Sequence, residues 1–207
     1  MTLTTPEVNR LKQAPHVEGV LPIFHERWSP RAFDDREVSS AELATVFEAA
    51  RWAASSGNSQ PWRFLVGTGG SETHNNIREA LVDFNKEWAS HAPVLILGTA
   101  LAVSPNSGKP NGYALFDLGA ASSYLTLQAA SQGLVAHQMA GFSHETARRL
   151  LEIPENYSLG SVIALGYQGE PAVLPNAKLI EREIAPRERK PLSEVAFSSW
   201  DVPAILS

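Results

Sequence analysis

The 207-residue chain contains no cysteine. That excludes disulfides, thiolate metal sites, iron–sulfur clusters and cysteine nucleophiles together. It also fits a reducing compartment. Long apolar runs are missing too. The longest, Ala92 to Val103, falls well short of the roughly 20 residues that a spanning helix needs. Its Pro93-Val94-Leu95-Ile96-Leu97 start reads instead as a buried strand. No basic stretch precedes an apolar core at the N-terminus, so no signal peptide is expected. The expected location is cytoplasmic, with no membrane partner. Positive charge is in deficit, with 17 Lys and Arg against 22 Asp and Glu and a net charge of −5. A nucleic-acid partner is therefore not expected.

Several catalytic signatures are also absent. The six histidines form no i, i+4 pair and no HExxH, so no metal site is expected. There is no G-x-S-x-G elbow and no G-x-x-x-x-G-K-[ST] loop. Gly67-Thr68-Gly69-Gly70-Ser71-Glu72 imitates a dinucleotide fingerprint, but Glu72 stands where the third glycine belongs. An acid there would repel a phosphate, so this segment reads as a turn.

What is present suits one globular domain over 1–207: the chain is 43% hydrophobic and 19% charged. Ser39-Ser40-Ala41-Glu42 is a capping box. Behind it Leu43, Val46, Phe47, Ala50 and Ala54 recur at helical spacing, predicting a helix over 40–54. Further helices are predicted over 72–90, 116–132 and 144–151. Strands are predicted over 62–67, 93–100, 134–140 and 161–167. Residues 1–20 read as an arm or short helix and 104–112 as a loop. The tail, 171–207, reads as an extension too open to fold on itself. No βαβ rhythm is clean enough to require a parallel sheet.

Three clusters could carry chemistry. In Arg27-Trp28-Ser29-Pro30-Arg31, an extended segment would turn 27, 29 and 31 to one face. Two guanidinium forks and a hydroxyl suit a phosphate or another planar anion. By spacing alone, a solvated patch with Trp28 in the core is the favoured reading, since short basic clusters are common. Ser55-Ser56-Gly57-Asn58-Ser59-Gln60-Pro61-Trp62 is dense in short hydrogen-bonding groups, and its amides could read a heteroaromatic edge. A capped helix end and turn would use the same residues. Arg182, Arg187, Arg189 and Lys190 form either a solvated tail or a second basic arm returning to the same anion.

Together with Gly133-Leu134, Gly141-Phe142, Ile163-Ala164-Leu165-Gly166-Tyr167 and Arg189-Lys190-Pro191-Leu192, these clusters resemble the FMN-dependent nitroreductase family, in the family's order, over roughly residues 20–195. The resemblance implies an α+β, nitroreductase-like three-layer sandwich. Its central, mainly antiparallel sheet is flanked by helices, and a C-terminal extension wraps the partner subunit. It implies a homodimer with FMN at the interface and NAD(P)H as co-substrate. Arg27 and Ser29 would hold the FMN phosphate, with Trp28 in the same segment. Arg31 would sit near the N1–C2=O edge of the flavin. Ser55, Ser56, Asn58 and Gln60 would contact FMN held mainly by the other subunit. Asn85 would lie at the pyrimidine end, and Ala140 and Gly141 against the N5 region. Arg187 or Arg189 would be the late basic phosphate ligand. The implied reaction is ping-pong hydride transfer through flavin N5 to a nitroaromatic, quinone or enone, so no protein acid or base is nominated. A reduced-flavin, oxygen-using relative and a non-catalytic flavin binder are the alternatives. Ala54 replaces the proline the family often has before the Ser-Ser pair.

Overall fold

The apolar run at 94–101 has one physical cause: both faces of its strand are covered. In the computed structural model, which describes residues 3–104 and 107–205, strand β2 (Val94–Leu101) runs through the middle of the molecule. Leu95 and Leu97 point into one apolar cluster, and Val94, Ile96 and Ala100 into another. The sheet is β1 (Trp62–Thr68), β2, β4 (Tyr157–Gly166) and β3 (Val135–Met139), in that spatial order, and every pairing is antiparallel.

Helices α3 (Ser40–Arg51) and α6 (Ala114–Ser131) cover one face. Helix α6 packs so closely that a Cβ on Gly160 of β4 would meet a Leu118 methyl at 2.4 Å. The other face carries α4 (Glu72–Ala80), α5 (Asp83–Ala89), α7 (His144–Leu150) and α8 (Ala177–Ile184). Two short helices, α1 (Thr5–Lys12) and α2 (Pro22–Glu26), precede this sandwich. The three layers and antiparallel sheet match the implied architecture.

The boundaries differ where tertiary contacts outweigh periodicity. The predicted helix at 72–90 is two helices. Between them Val82 donates to the Gly141 carbonyl at 3.1 Å, and Leu81 bridges to Phe142. The first predicted helix stops at Arg51, and β4 begins four residues early, at Tyr157. The largest correction concerns the tail. Residues 177–184 form an amphipathic helix that buries Leu179 and Glu183. Lys12 of α1 donates to the Arg182 carbonyl at 3.3 Å and also to that of Ala185, so the α8 C-terminus receives a cation. Beyond it, β5 (Phe197–Ser199) and β6 (Val202–Pro203) form a small exposed hairpin. Residues 105 and 106 of the predicted loop lie outside the described residues.

Candidate active site

The 27–31 segment leaves α2 through an extended Arg27 and is held from several directions. Trp28 is buried towards α1: its indole N–H donates to Asn9 Oδ1 at 2.8 Å, and the Lys12 ammonium lies 4.8 Å from the ring centre. On the other side, Arg27 Nη1 donates to Ser29 Oγ at 3.3 Å. The Arg187 guanidinium donates to the carbonyls of His25 and Arg27. His137, on β3, donates from Nδ1 to the Pro30 carbonyl at 2.9 Å. Glu183 accepts the Arg31 and Ala32 N–H groups.

This arrangement concentrates uncompensated charge. Burial, then the neighbouring Arg189, depresses Arg27 below the usual guanidinium value. Burial, then Arg27 and Arg189, does the same to Arg187. Among the described residues no carboxylate lies within 4.0 Å of Arg27, Arg187 or Arg189. The three arginines line one cavity of about 660 Å³ together with Phe24 and Glu188. Convergent guanidiniums beside a hydroxyl fit the phosphate of FMN. They also differ in role. Arg187 is engaged with two backbone carbonyls, whereas the hydrogen bond of Arg189 is to the adjacent Glu188 carbonyl, at 2.7 Å.

The segment then leads to a mostly apolar wall. The Arg31 guanidinium lies 5.8 Å from the Trp88 ring centre, and its buried Nε has no hydrogen-bond partner. The His137 ring stands 4.6 Å from that of Trp88. Burial foremost, then Arg31, pushes its pKa down to about 4, so at neutral pH it adds no further cation. One turn before Trp88, buried Asn85 donates to the Gly141 carbonyl at 3.0 Å. A Cβ on Gly141 would sit 2.6 Å from Asn85 Nδ2, so a glycine permits this approach. Ala140, beside it, accepts from the Phe142 N–H at 3.0 Å. Arg31 thus reaches Trp88, and Asn85 one turn earlier on α5 reaches Gly141, with Arg31 Nε and Trp88 Nε1 both buried without a hydrogen-bond partner.

The 55–60 loop is built differently. Gly57, Asn58 and Gln60 all have positive φ, at 56°, 53° and 44°. For Gln60 this conformation is strained. Ser55 Oγ accepts from the Gln60 N–H at 3.0 Å, and Gln60 Nε2 donates to Asn58 Oδ1 at 3.1 Å. The Ser56 N–H donates to the buried Asp117 carboxylate of α6 at 3.1 Å. Beside this loop stand exposed Trp52 and Phe116.

The structure therefore gathers Arg27, Ser29, Arg187 and Arg189 at one end. It places Arg31, Asn85, Ala140 and Gly141 along one wall. Ser55, Ser56, Asn58 and Gln60 form a separate exposed loop. Three supporting residues escaped the sequence reading, each with a faint signal. Trp88 follows Asn85 by one helical turn. Glu183 is an acid four residues after Leu179 on one face of α8. Asp117 is the lone charged residue in the alanine-rich α6.

Comparison with known proteins identifies the family. The model of the nitroreductase family matches residues 25–87 and 70–167. A crystal structure of an oxidoreductase containing FMN superposes with a TM-score of 0.83 at 36% identity, covering 90% of this chain and 94% of that one. An uncharacterised 15.4 kDa protein of Mycolicibacterium smegmatis is 35% identical over 149 residues, 68% of this chain and 99% of that protein. A protein of Archaeoglobus fulgidus, provisionally named NADH dehydrogenase/NAD(P)H nitroreductase, is 29% identical over 156 residues, 73% of this chain and 86% of that protein. With the family pattern spanning residues 25–167 and the fold shared at this level, the chain belongs to the nitroreductase family.

Proposed function

We propose that this chain is an FMN-dependent, NAD(P)H-oxidising oxidoreductase working as a homodimer. The observation that carries the proposal is the arginine cradle: Arg27, Arg187 and Arg189 converge without a carboxylate partner among the described residues. Arg27, Ser29 and Arg189 would bind the phosphate, and Arg187 would hold the Arg27 backbone beneath it. Asn85 and Gly141 would fix one edge of the ring. Trp88 and neutral His137 would exclude water behind Arg31, whose positive charge would favour negative charge at the N1–C2=O edge. The chemistry FMN supplies when bound is two-electron transfer in ping-pong order, hydride in from NAD(P)H and out to an electron-poor acceptor such as a nitroaromatic, quinone or enone.

The dimer reading rests on surface apolarity. Trp52, Tyr113 and Phe116 are exposed near the 55–60 loop, and Leu192, Val195, Phe197 and Trp200 are exposed in the tail. Patches of this kind mark interfaces. The loop would reach FMN held by the partner, and the tail would cross the partner's surface. Among the described residues no helix is long and apolar enough to cross a membrane.

Purified protein should be yellow and should bleach anaerobically with NADH or NADPH. Failure to take up added FMN counts against the proposal. Bound FMN that neither nicotinamide reduces would mark a non-catalytic binder. Arg27→Ala with Ser29→Ala removes two charge-assisted contacts, so FMN affinity should fall about 100-fold or more. Unchanged affinity would displace the phosphate from this cradle.

A further inference from the structure

We propose that Glu183 is a positioning residue for Arg31: from α8 it holds the Arg31–Ala32 backbone and steadies the Arg31 guanidinium, and so helps set the reduction potential of the bound flavin. The proposal rests on the FMN reading above.

Glu183 is 0% exposed. Both its oxygens accept the Arg31 N–H at 2.9 Å, and Oε1 also accepts the Ala32 N–H at 3.1 Å. Oε2 lies 4.0 Å from Arg31 Nη1. Burying a carboxylate is costly unless it is paired and hydrogen-bonded. An apolar residue would be the economical choice on the α8 face that buries Leu179. The acid instead meets two consecutive peptide N–H groups and one guanidinium. From the α1 side it also faces the Lys12 ammonium, and burial raises its pKa against the pull of these donors.

The geometry around Arg31 is selective. Its backbone is held on both sides, by His137 at the Pro30 carbonyl and by Glu183 at the Arg31 and Ala32 N–H groups. Its side chain is committed to less. The nearest carboxylate oxygen is at 4.0 Å, and Nε is buried without a partner. A residue fixed at its root, with a side chain that is 20% exposed, is arranged to present its terminal donors to a ligand. Glu183 supplies the fixing from a helix 152 positions away in the chain.

Two effects of removing the carboxylate have opposite signs. Deleting a negative charge near the flavin would, alone, ease reduction. Releasing Arg31 would withdraw a positive charge from the reduced ring and hinder reduction. Positioning predicts the second.

The test uses FMN-loaded protein, with anaerobic midpoint potentials read against reference dyes. Glu183→Gln should lower the equilibrium constant for two-electron reduction about tenfold, a potential about 30 mV more negative. It should also weaken FMN binding to the apoprotein several-fold. Arg31→Ala should shift the potential the same way by at least as much. Adding Glu183→Gln to Arg31→Ala should move it no further negative, since only the loss of a negative charge then remains. A potential for Glu183→Gln that is unchanged or less negative overturns the proposal, as does full additivity of the two substitutions. If Glu183→Gln does not fold, Glu183→Asp keeps the charge but withdraws the carboxylate by one methylene. It should give a smaller shift of the same sign, and a wild-type potential there overturns the proposal. The FMN reading fails separately and visibly, through wild-type protein that takes up no FMN, whereas an Arg31→Ala potential equal to wild type leaves FMN binding intact and overturns the placement of Arg31. Either outcome removes this proposal as well.

Discussion

The 27–31 segment carries two cations and a hydroxyl, the 55–60 loop only neutral hydroxyls and amides, and the two are held in different ways. The first keeps ordinary backbone angles and is fixed by side chains from distant elements: His137, Glu183, Arg187 and, through Trp28, Asn9. The second places three of six residues in the left-handed region and is fixed mostly by bonds within itself. Among the described residues, its one distant anchor in the hydrogen-bond network is Asp117. Clustered cations repel one another, so they need a rigid frame drawn from the whole fold. A loop of neutral donors needs only a shape, and local chemistry can supply that.

The comparison can be broken most forcefully through His137. Its pKa falls from 6.5 to about 4 in the folded chain, led by burial. Between those values the unfolded chain binds more protons, so the stability His137 contributes is complete above pH 6.5 and is lost as pH falls through 4. The loss should total about 3 kcal/mol. Urea unfolding of wild type and His137→Gln across this window should therefore give curves that diverge in shape. Parallel curves would mean that the 27–31 frame does not depend on a neutral imidazole.

A smaller effect is expected at the loop's single long anchor. Asp117→Ala leaves the Ser56 N–H without its carboxylate, at a cost of about 2 kcal/mol, and should speed proteolysis within 55–60. A loss under about 0.5 kcal/mol would show that local bonds alone hold the loop, which would widen the contrast. The smallest effect belongs to Gly57→Ala. No atom lies within 4 Å of the site a Cβ would take, so the cost is backbone strain alone, about 1 kcal/mol. A much larger loss in the unfolding midpoint would imply a contact that the isolated chain does not contain.

The sequence made much of this legible, for physical reasons. Capping at Ser39 and Glu42 is local chemistry, and the structure keeps it, with the Ser39 N–H donating to Glu42 Oε2 at 2.8 Å. The run at 94–101 announced a strand covered on both faces. Other features were hidden because they depend on distant partners. The break at Leu81–Val82 has neither proline nor glycine, and it exists because Gly141 and Phe142 claim the backbone there. The α8 helix was obscured by charge and flanking prolines, since its buried acid finds partners only in residues 31 and 32. The proposed assignment of Arg189 rather than Arg187 to the phosphate could not come from spacing, because it rests on Arg187 engaging the His25 and Arg27 carbonyls.

The reach of Glu183 and Arg187 also bears on how the chain matures. The last strand of the main sheet ends at Gly166. Both clamps on the 27–31 segment come later and close separations of 152 and 160 residues. Contacts so far apart in sequence are slow to form. During synthesis, a chain can therefore assemble its entire sheet, with His137 and Asn9 already holding the 27–31 segment, before the Glu183 and Arg187 clamps exist. On the proposed reading, cofactor capture must wait until residues 183 and 187 have been made.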